Sequence, residues 1–232
     1  MNHCRIHFLE HSGFVLETEE KLLVFDYYMD RTDVLGNLLK DTGKKLYFLV
    51  SHCHYDHFNP AIRRFENRCS GYFIHSDCDL KLERKDILHR MQVGDRAGID
   101  GMEIKMYGST DEGGSFLIES SELTVFHAGD LNWWHWAGES DAENTEARCQ
   151  FFEELGKIRE TAVDILFFPV DERQQIAKEW GVKAALNHFK AGLLVPMHSF
   201  GKIWVPSYEF RWTFPTQKIW IPGCNGDAWE GV

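Results

Sequence analysis

Five short apolar runs in this chain each end on a residue able to bind a metal or move a proton. They are Leu22-Leu-Val-Phe-Asp26, Leu46 to Val50 with Ser51-His52 beyond it, Leu123-Thr-Val-Phe-His-Ala-Gly-Asp130, Ile165-Leu-Phe-Phe-Pro-Val-Asp171 and Leu193-Leu-Val-Pro-Met-His198. Runs of this length, rich in β-branched and aromatic residues and bounded by turn formers, predict buried strands. In open sheets the loops at strand carboxyl ends converge and form sites there. Repeating the pattern five times predicts an α/β chain of layered sheets with one functional edge. Taken singly, Asp26 and Asp171 read more readily as turn or helix-capping aspartates.

The remaining strand candidates are 5–9, 14–17, 72–75, 103–107, 115–118 and 219–221, and helical patterns fall at 60–66, 141–159 and 172–189. Pro60 suits a helix start, where its missing N–H costs nothing. No Pro/Gly/Ser linker, repeat or low-complexity stretch divides the chain, so residues 1–232 read as a single domain. The content is 44% hydrophobic and 14% aromatic, which excludes global disorder.

The second run leads into the most informative segment, Ser51-His52-Cys-His54-Tyr-Asp56-His57-Phe-Asn-Pro60. Alternate side chains of an extended segment share a face, so His52 and His54 can point at one ion while Cys53 points away. Asp56 and His57 follow where the chain turns, within reach of a second ion. Imidazole and carboxylate donors together suit zinc first, with manganese or iron as alternatives, over calcium or magnesium.

The order His52-x-His54-x-Asp56-His57, then Gly129-Asp130, then His198 resembles the metallo-β-lactamase superfamily. Ser51-His52, Phe126-His-Ala-Gly-Asp130 and Pro196-Met-His198 are similar to its ascorbate-6-phosphate lactonase and tRNA 3′-end nuclease branch. The resemblance implies a four-layer αβ/βα sandwich with one or two divalent metal ions at an edge of its sheets. It implies that His52 and His54 hold the first metal, that Asp56, His57 and His198 hold the second, and that Asp130 bridges them. The implied activity is hydrolysis of a small-molecule lactone, ester or phosphodiester by a metal-activated water, with Asp56 as the catalytic carboxylate. Asp26 and Asp171 would hydrogen-bond and orient ligand histidines.

One position departs from the family. A further histidine is expected before the Ser115–Ile118 strand, but Ser109-Thr110-Asp111-Glu112 stands there, and Asp111 is the preferred substitute ligand. His127, inside an apolar run, reads as a core histidine. Trp133, Trp134 and Trp136 follow Asp130 closely. They either wall the substrate pocket or pack as ordinary core, with at least one ring expected to line the pocket.

The formal charge of −11 and the lack of any long Lys/Arg cluster disfavour nucleic acid as the substrate. An RNA phosphodiesterase and a metal-binding pseudoenzyme are the competing readings. No apolar run approaches the roughly 20 residues of a membrane helix. The start has no basic-then-apolar leader and the six cysteines are scattered, so a cytoplasmic location is expected. A homo-oligomer stays open.

Overall fold

Strand formation here follows burial on both faces. Leu22–Phe25, Leu46–Val50 and Ile165–Val170 are continuous apolar runs with almost no exposed surface, the pattern of strands covered on each side. The computed structural model describes residues 4–40 and 42–231, and these fall into two compact units, one within Met1–Gln92 and Pro222–Val232 and the other within Val93–Ile221.

In chain order the first unit carries β1 (Arg5–Glu10), β2 (Gly13–Glu17), β3 (Lys21–Phe25), α1 (Val34–Lys40), β4 (Lys45–Val50), β5 (Cys69–His75) and β6 (Leu88–Met91). The second carries β7 (Arg96–Ile99), β8 (Met102–Tyr107), β9 (Ser115–Ser120), β10 (Thr124–His127), α2 (Asp141–Lys157), β11 (Ala162–Pro169), α3 (Trp180–His188), β12 (Lys190–Met197) and α4 (Tyr208–Thr213). The chain returns to the first unit with β13 (Ala228–Glu230).

The first sheet has the order β13-β1-β2-β3-β4-β5-β6. Its strands β3 to β6 are parallel, while β1, β2 and β13 pair antiparallel. Its core gathers Leu9, Val15, Leu22, Val24, Phe48, Val50, Tyr72 and Ile74, with Leu35 of α1 and Ile62 packed on it. The second sheet has the order β12-β11-β10-β9-β8-β7, parallel from β10 to β12 and antiparallel from β7 to β10. Here α3 packs on β11 and β12, and Phe151 of α2 meets Phe168 of β11 edge-on. Each sheet is therefore mixed, and the candidate site residues follow parallel strands, β3 and β4 in the first sheet and β10, β11 and β12 in the second.

Three of the elements expected from the sequence take a different form in the structure. Residues 60–66 make a 3₁₀ turn over Pro60–Phe65, capped by the Asn59 side chain accepting from Ala61 N–H. The 172–189 pattern splits into a 3₁₀ turn over Glu172–Ala177 and the separate helix α3. Gln175 breaks it with φ 56 and ψ −116. Beside it, Gln174 turns inward, donating to Trp133 O and accepting from the Asn132 amide, and those tertiary bonds override helical periodicity. At 219–221 a single parallel bridge, Leu194 to Ile219, forms in place of a strand.

Candidate metal centre

In the first unit the site starts at the carboxyl ends of β3 and β4. Asp26 closes β3 and is fully buried, and Ser51 and His52 follow β4, also fully buried. The Asp26 carboxylate accepts from Ser51 N–H at 2.8 Å, from Ser51 Oγ at 2.8 Å and from His57 Nδ1 at 2.8 Å. Since Ser51 Oγ gives its proton to Asp26, it accepts from His52 Nδ1, 2.9 Å away. One carboxylate thus orients His57 directly and His52 through a hydroxyl. A carboxylate donor-acceptor chain of this kind fixes the ring tautomer and strengthens the other nitrogen as a ligand.

That other nitrogen of His52, Nε2, lies 3.0 Å from His54 Nδ1. Two nitrogens bound about 2.0–2.1 Å from a tetrahedral zinc sit about 3.3 Å apart, so the pair is spaced as neighbouring ligands of one ion. A second cluster joins Asp56 and His57 with His11, each offering a ligand atom within 4.8 Å of the others. His11 Nε2 is 3.4 Å from Asp56 Oδ2, and its ring meets His57 edge-on at 5.3 Å. Burial alone raises the Asp56 pKa. The hydrogen bond with His11 and the charges of His57 and His11 outweigh it and hold the carboxyl well below the usual range. The donors fit a divalent ion: imidazoles and an ionised carboxylate, with orienting partners already in place.

His11 is the residue that sequence reasoning missed. It sits alone in the β1–β2 turn, some forty positions before the motif, and spacing cannot connect the two. The available signal is local: Glu10-His11-Ser12-Gly13 places a buried histidine at φ 57 in a hairpin, two positions before a glycine. A Cβ on Gly13 would lie 2.9 Å from both Asp26 O and Glu10 O, so only glycine lets the hairpin lie against the Asp26 backbone.

The second unit repeats the arrangement. Asp130 follows β10 after Gly129, whose φ of 53 makes the turn. Asp171 follows β11, and His198 follows β12. Asp171 Oδ2 accepts from His198 Nδ1 at 3.1 Å, as Asp26 does from His57. His198 Nε2 then faces Asp130 Oδ1 at 3.5 Å. Burial raises the Asp171 pKa, but hydrogen bonds from His198 and Arg173 bring it down to about 2. His198 at φ 62, like Asp26 at φ 40 and His11 at φ 57, holds a left-handed conformation that non-glycine residues avoid. Each such residue costs of order 1–3 kcal/mol, and strain of this sort gathers at functional positions.

The 109–112 loop is tied to the Asp130 loop through Thr110, whose hydroxyl accepts from Asn132 N–H at 2.9 Å and donates to Asn132 O at 2.6 Å. Asp111 is exposed on that loop. His127 is buried, and its Nδ1 accepts from Gly129 N–H. The three tryptophans part company. Trp134 donates to Asp130 O and lies 5.2 Å from the His198 ring, with Trp136 stacked on it at 5.8 Å. Trp133 instead packs on Phe152 of α2 and Trp180 of α3.

No family model matches the chain. Over its whole length it is similar to YhfI of Bacillus subtilis, a metallo-β-lactamase fold protein, with TM-score 0.64, 15% identity and full coverage of both chains. The fold is that of the metallo-β-lactamases. Igni18, a metallo hydrolase from Ignicoccus hospitalis, matches with TM-score 0.67 and 17% identity over 99% of both chains. In sequence, the chain is 27% identical over 141 residues to a UPF0173 metal-dependent hydrolase of Methylacidiphilum infernorum. That match takes in 54% of this chain and 62% of the relative, so just over three fifths of the relative's length is spanned. Among the described residues, no helix is long and apolar enough to cross a membrane.

Proposed function

We propose that this chain is a metal-dependent hydrolase acting on a small-molecule lactone, ester or phosphodiester. The observation that carries the reading is the Asp26 carboxylate, which holds His57 directly and His52 through Ser51 at the ends of two parallel strands. A core gains nothing from two buried imidazoles aimed by one buried carboxylate, whereas a metal centre needs that arrangement.

In this reading His52, His54, Asp56 and His57 of the first unit, and Asp130 and His198 of the second, are the ligands of one or two divalent ions, zinc first. The order of the motif along the chain supports it, and so does the metallo hydrolase name of a fold neighbour. His11 joins the Asp56 and His57 ligand group. A bound divalent ion supplies an acidified water and stabilises negative charge on the attacked oxygen. Asp56, ionised at neutral pH, accepts the proton of the attacking water and passes it to the leaving group. Asp26 and Asp171 keep His57 and His198 in one tautomer throughout. Asp111, where the family has a histidine, remains the preferred additional ligand. Phe126-His-Ala-Gly-Asp130 and Pro196-Met-His198 favour the ascorbate-6-phosphate lactonase and tRNA 3′-end nuclease branch. The −11 charge favours its small-molecule side.

The test is to strip the protein with chelator, reload it with Zn²⁺ or Mn²⁺, and screen p-nitrophenyl esters, lactones and bis(p-nitrophenyl) phosphate. Metal-dependent turnover of one class is expected. A protein that binds no metal, or that binds it and hydrolyses none of these, would overturn the reading.

A further inference from the structure

Beside His198 lies a group of side chains that the hydrolytic step does not use. Arg173 reaches back to Asp171, with Nε 2.9 Å and Nη2 2.5 Å from Oδ2 and Nε 3.0 Å from Oδ1. Its guanidinium carbon stands 3.9 Å from the Phe200 ring centroid and 5.5 Å from that of Trp136. Phe200 meets the His198 ring edge-on at 5.1 Å. Trp136 stacks on Trp134 at an interplanar angle of 3°, and Trp134 covers His198 from 5.2 Å. A candidate ligand histidine is thus flanked by two rings, and a cation is held between the outer two.

The arrangement is open. The Arg173 side chain is 48% exposed and Phe200 is 41% exposed. An arginine serving only to neutralise Asp171 needs no aromatic face kept in water beside it. This guanidinium is instead pinned along one edge by a carboxylate and across its plane by rings, so its rotamer entropy is already lost before any ligand arrives. Flat apolar surface next to a fixed cation matches a ligand that joins a flat apolar group to an anion. The net charge of −11 makes a local cation more necessary, since the long-range field repels such a ligand.

We propose that Trp134, Trp136, Phe200 and Arg173 form a substrate-binding shelf for an aromatic or similarly flat compound bearing a carboxylate or phosphate group. The proposal rests on the hydrolase reading for the role of His198 and names the substrate class of that site.

Binding of phenylphosphonate, benzoate, methylphosphonate and the neutral benzamide to the zinc-loaded full chain, followed by tryptophan fluorescence and calorimetry, tests it. Phenylphosphonate and benzoate should bind at least tenfold more tightly than benzamide. Zinc itself attracts anions, so the variants decide. Arg173→Met should lose most of that preference, and its zinc content must be measured because Asp171 loses a partner. Phe200→Leu removes the ring and leaves the side chains of Arg173 and Asp171 themselves unchanged. It should weaken phenylphosphonate at least fivefold while leaving methylphosphonate unchanged. Wild-type affinity for phenylphosphonate in Phe200→Leu, or equal binding of anions and benzamide by the wild type, would overturn the shelf. Failure of the hydrolase reading shows separately, as absence of ester, lactone or phosphodiester turnover with these binding preferences intact.

Discussion

Asp26 Oδ2 lies 2.8 Å from His57 Nδ1, and neither residue exposes any surface. The same oxygen takes the Ser51 hydroxyl proton, so two histidines that are five positions apart answer to one carboxylate. Replacing Asp26 by Asn keeps the shape and removes the charge. Partners of this kind contribute about 10–100-fold in metal affinity, and Asp26→Asn is expected to weaken zinc by that factor in chelator competition. Unchanged affinity would remove Asp26 from the centre.

Ser51 separates the two histidines experimentally. Ser51→Ala cuts the link between Asp26 and His52 but leaves the link to His57. The His52 and His54 pair has fewer donors of its own unit than the His11, Asp56 and His57 cluster, so two ions should already bind unequally in the wild type. The variant should widen that gap, lowering the occupancy of one ion and sparing the other in a stoichiometric zinc titration. Two equally tight ions in both proteins would show this count of ligands to be wrong.

Asp56 is expected to matter for rate more than any ligand of equal exposure. Asp56→Asn removes the proton acceptor, and a general base is worth about 10²–10⁴ in turnover. Steady-state kinetics on whichever substrate class the screen finds, at matched zinc content, checks it. Turnover near that of the wild type would exclude Asp56 as the base.

Gly13 tests the hairpin that carries His11. Gly13→Ala would press a methyl against Asp26 O and Glu10 O, each 2.9 Å from the added carbon. Overpacking against backbone costs about 1–3 kcal/mol, to be read as a lowered urea midpoint. Full stability in this variant would mean that the hairpin yields easily and that the glycine is not required.

Away from the centre, Glu160 predicts an acid dependence of stability. Burial raises its pKa, but hydrogen bonds from Tyr107 and Lys105 outweigh this and set it at about 2, against an ordinary 4.5. The folded value lies below the unfolded one, so the contribution is fully present above about pH 4.5 and is lost as pH falls toward 2. Glu160→Gln should therefore be less stable than the wild type at pH 6, with the difference shrinking through that window in urea unfolding. A difference that stays constant with pH would exclude this linkage.

The legible part of this protein was its strands and their endings. Leu22–Phe25, Leu46–Val50, Leu123–His127, Ile165–Pro169 and Leu193–Met197 are apolar enough to be buried on both faces, and each is followed within a few residues by a polar group that ends the apolar run. Local chemistry alone therefore set Asp26, His52, Asp130, Asp171 and His198 at strand ends, and the tight spacing of His54, Asp56 and His57 set them apart as candidate ligands. Edge strands β6, β7 and β13 were not legible, because short, partly exposed strands carry too little apolar pattern to stand out.

What tertiary structure alone decided is which side chains meet. His11 reaches Asp56 and His57 only because β1 and β2 pair in the same sheet as β3 and β4. Asp26 controls His52 only because Ser51 happens to stand between them once β3 and β4 lie in parallel register. The helical pattern of residues 172–189 breaks at Gln175, where the side chain of neighbouring Gln174 is held by Asn132 and Trp133, some forty residues earlier. Arg173 and Phe200 stack although nothing in their sequence surroundings pairs them. Sequence pattern encodes burial and period, which act over a few residues. Contacts across tens of residues depend on strand order and register, which no local pattern specifies.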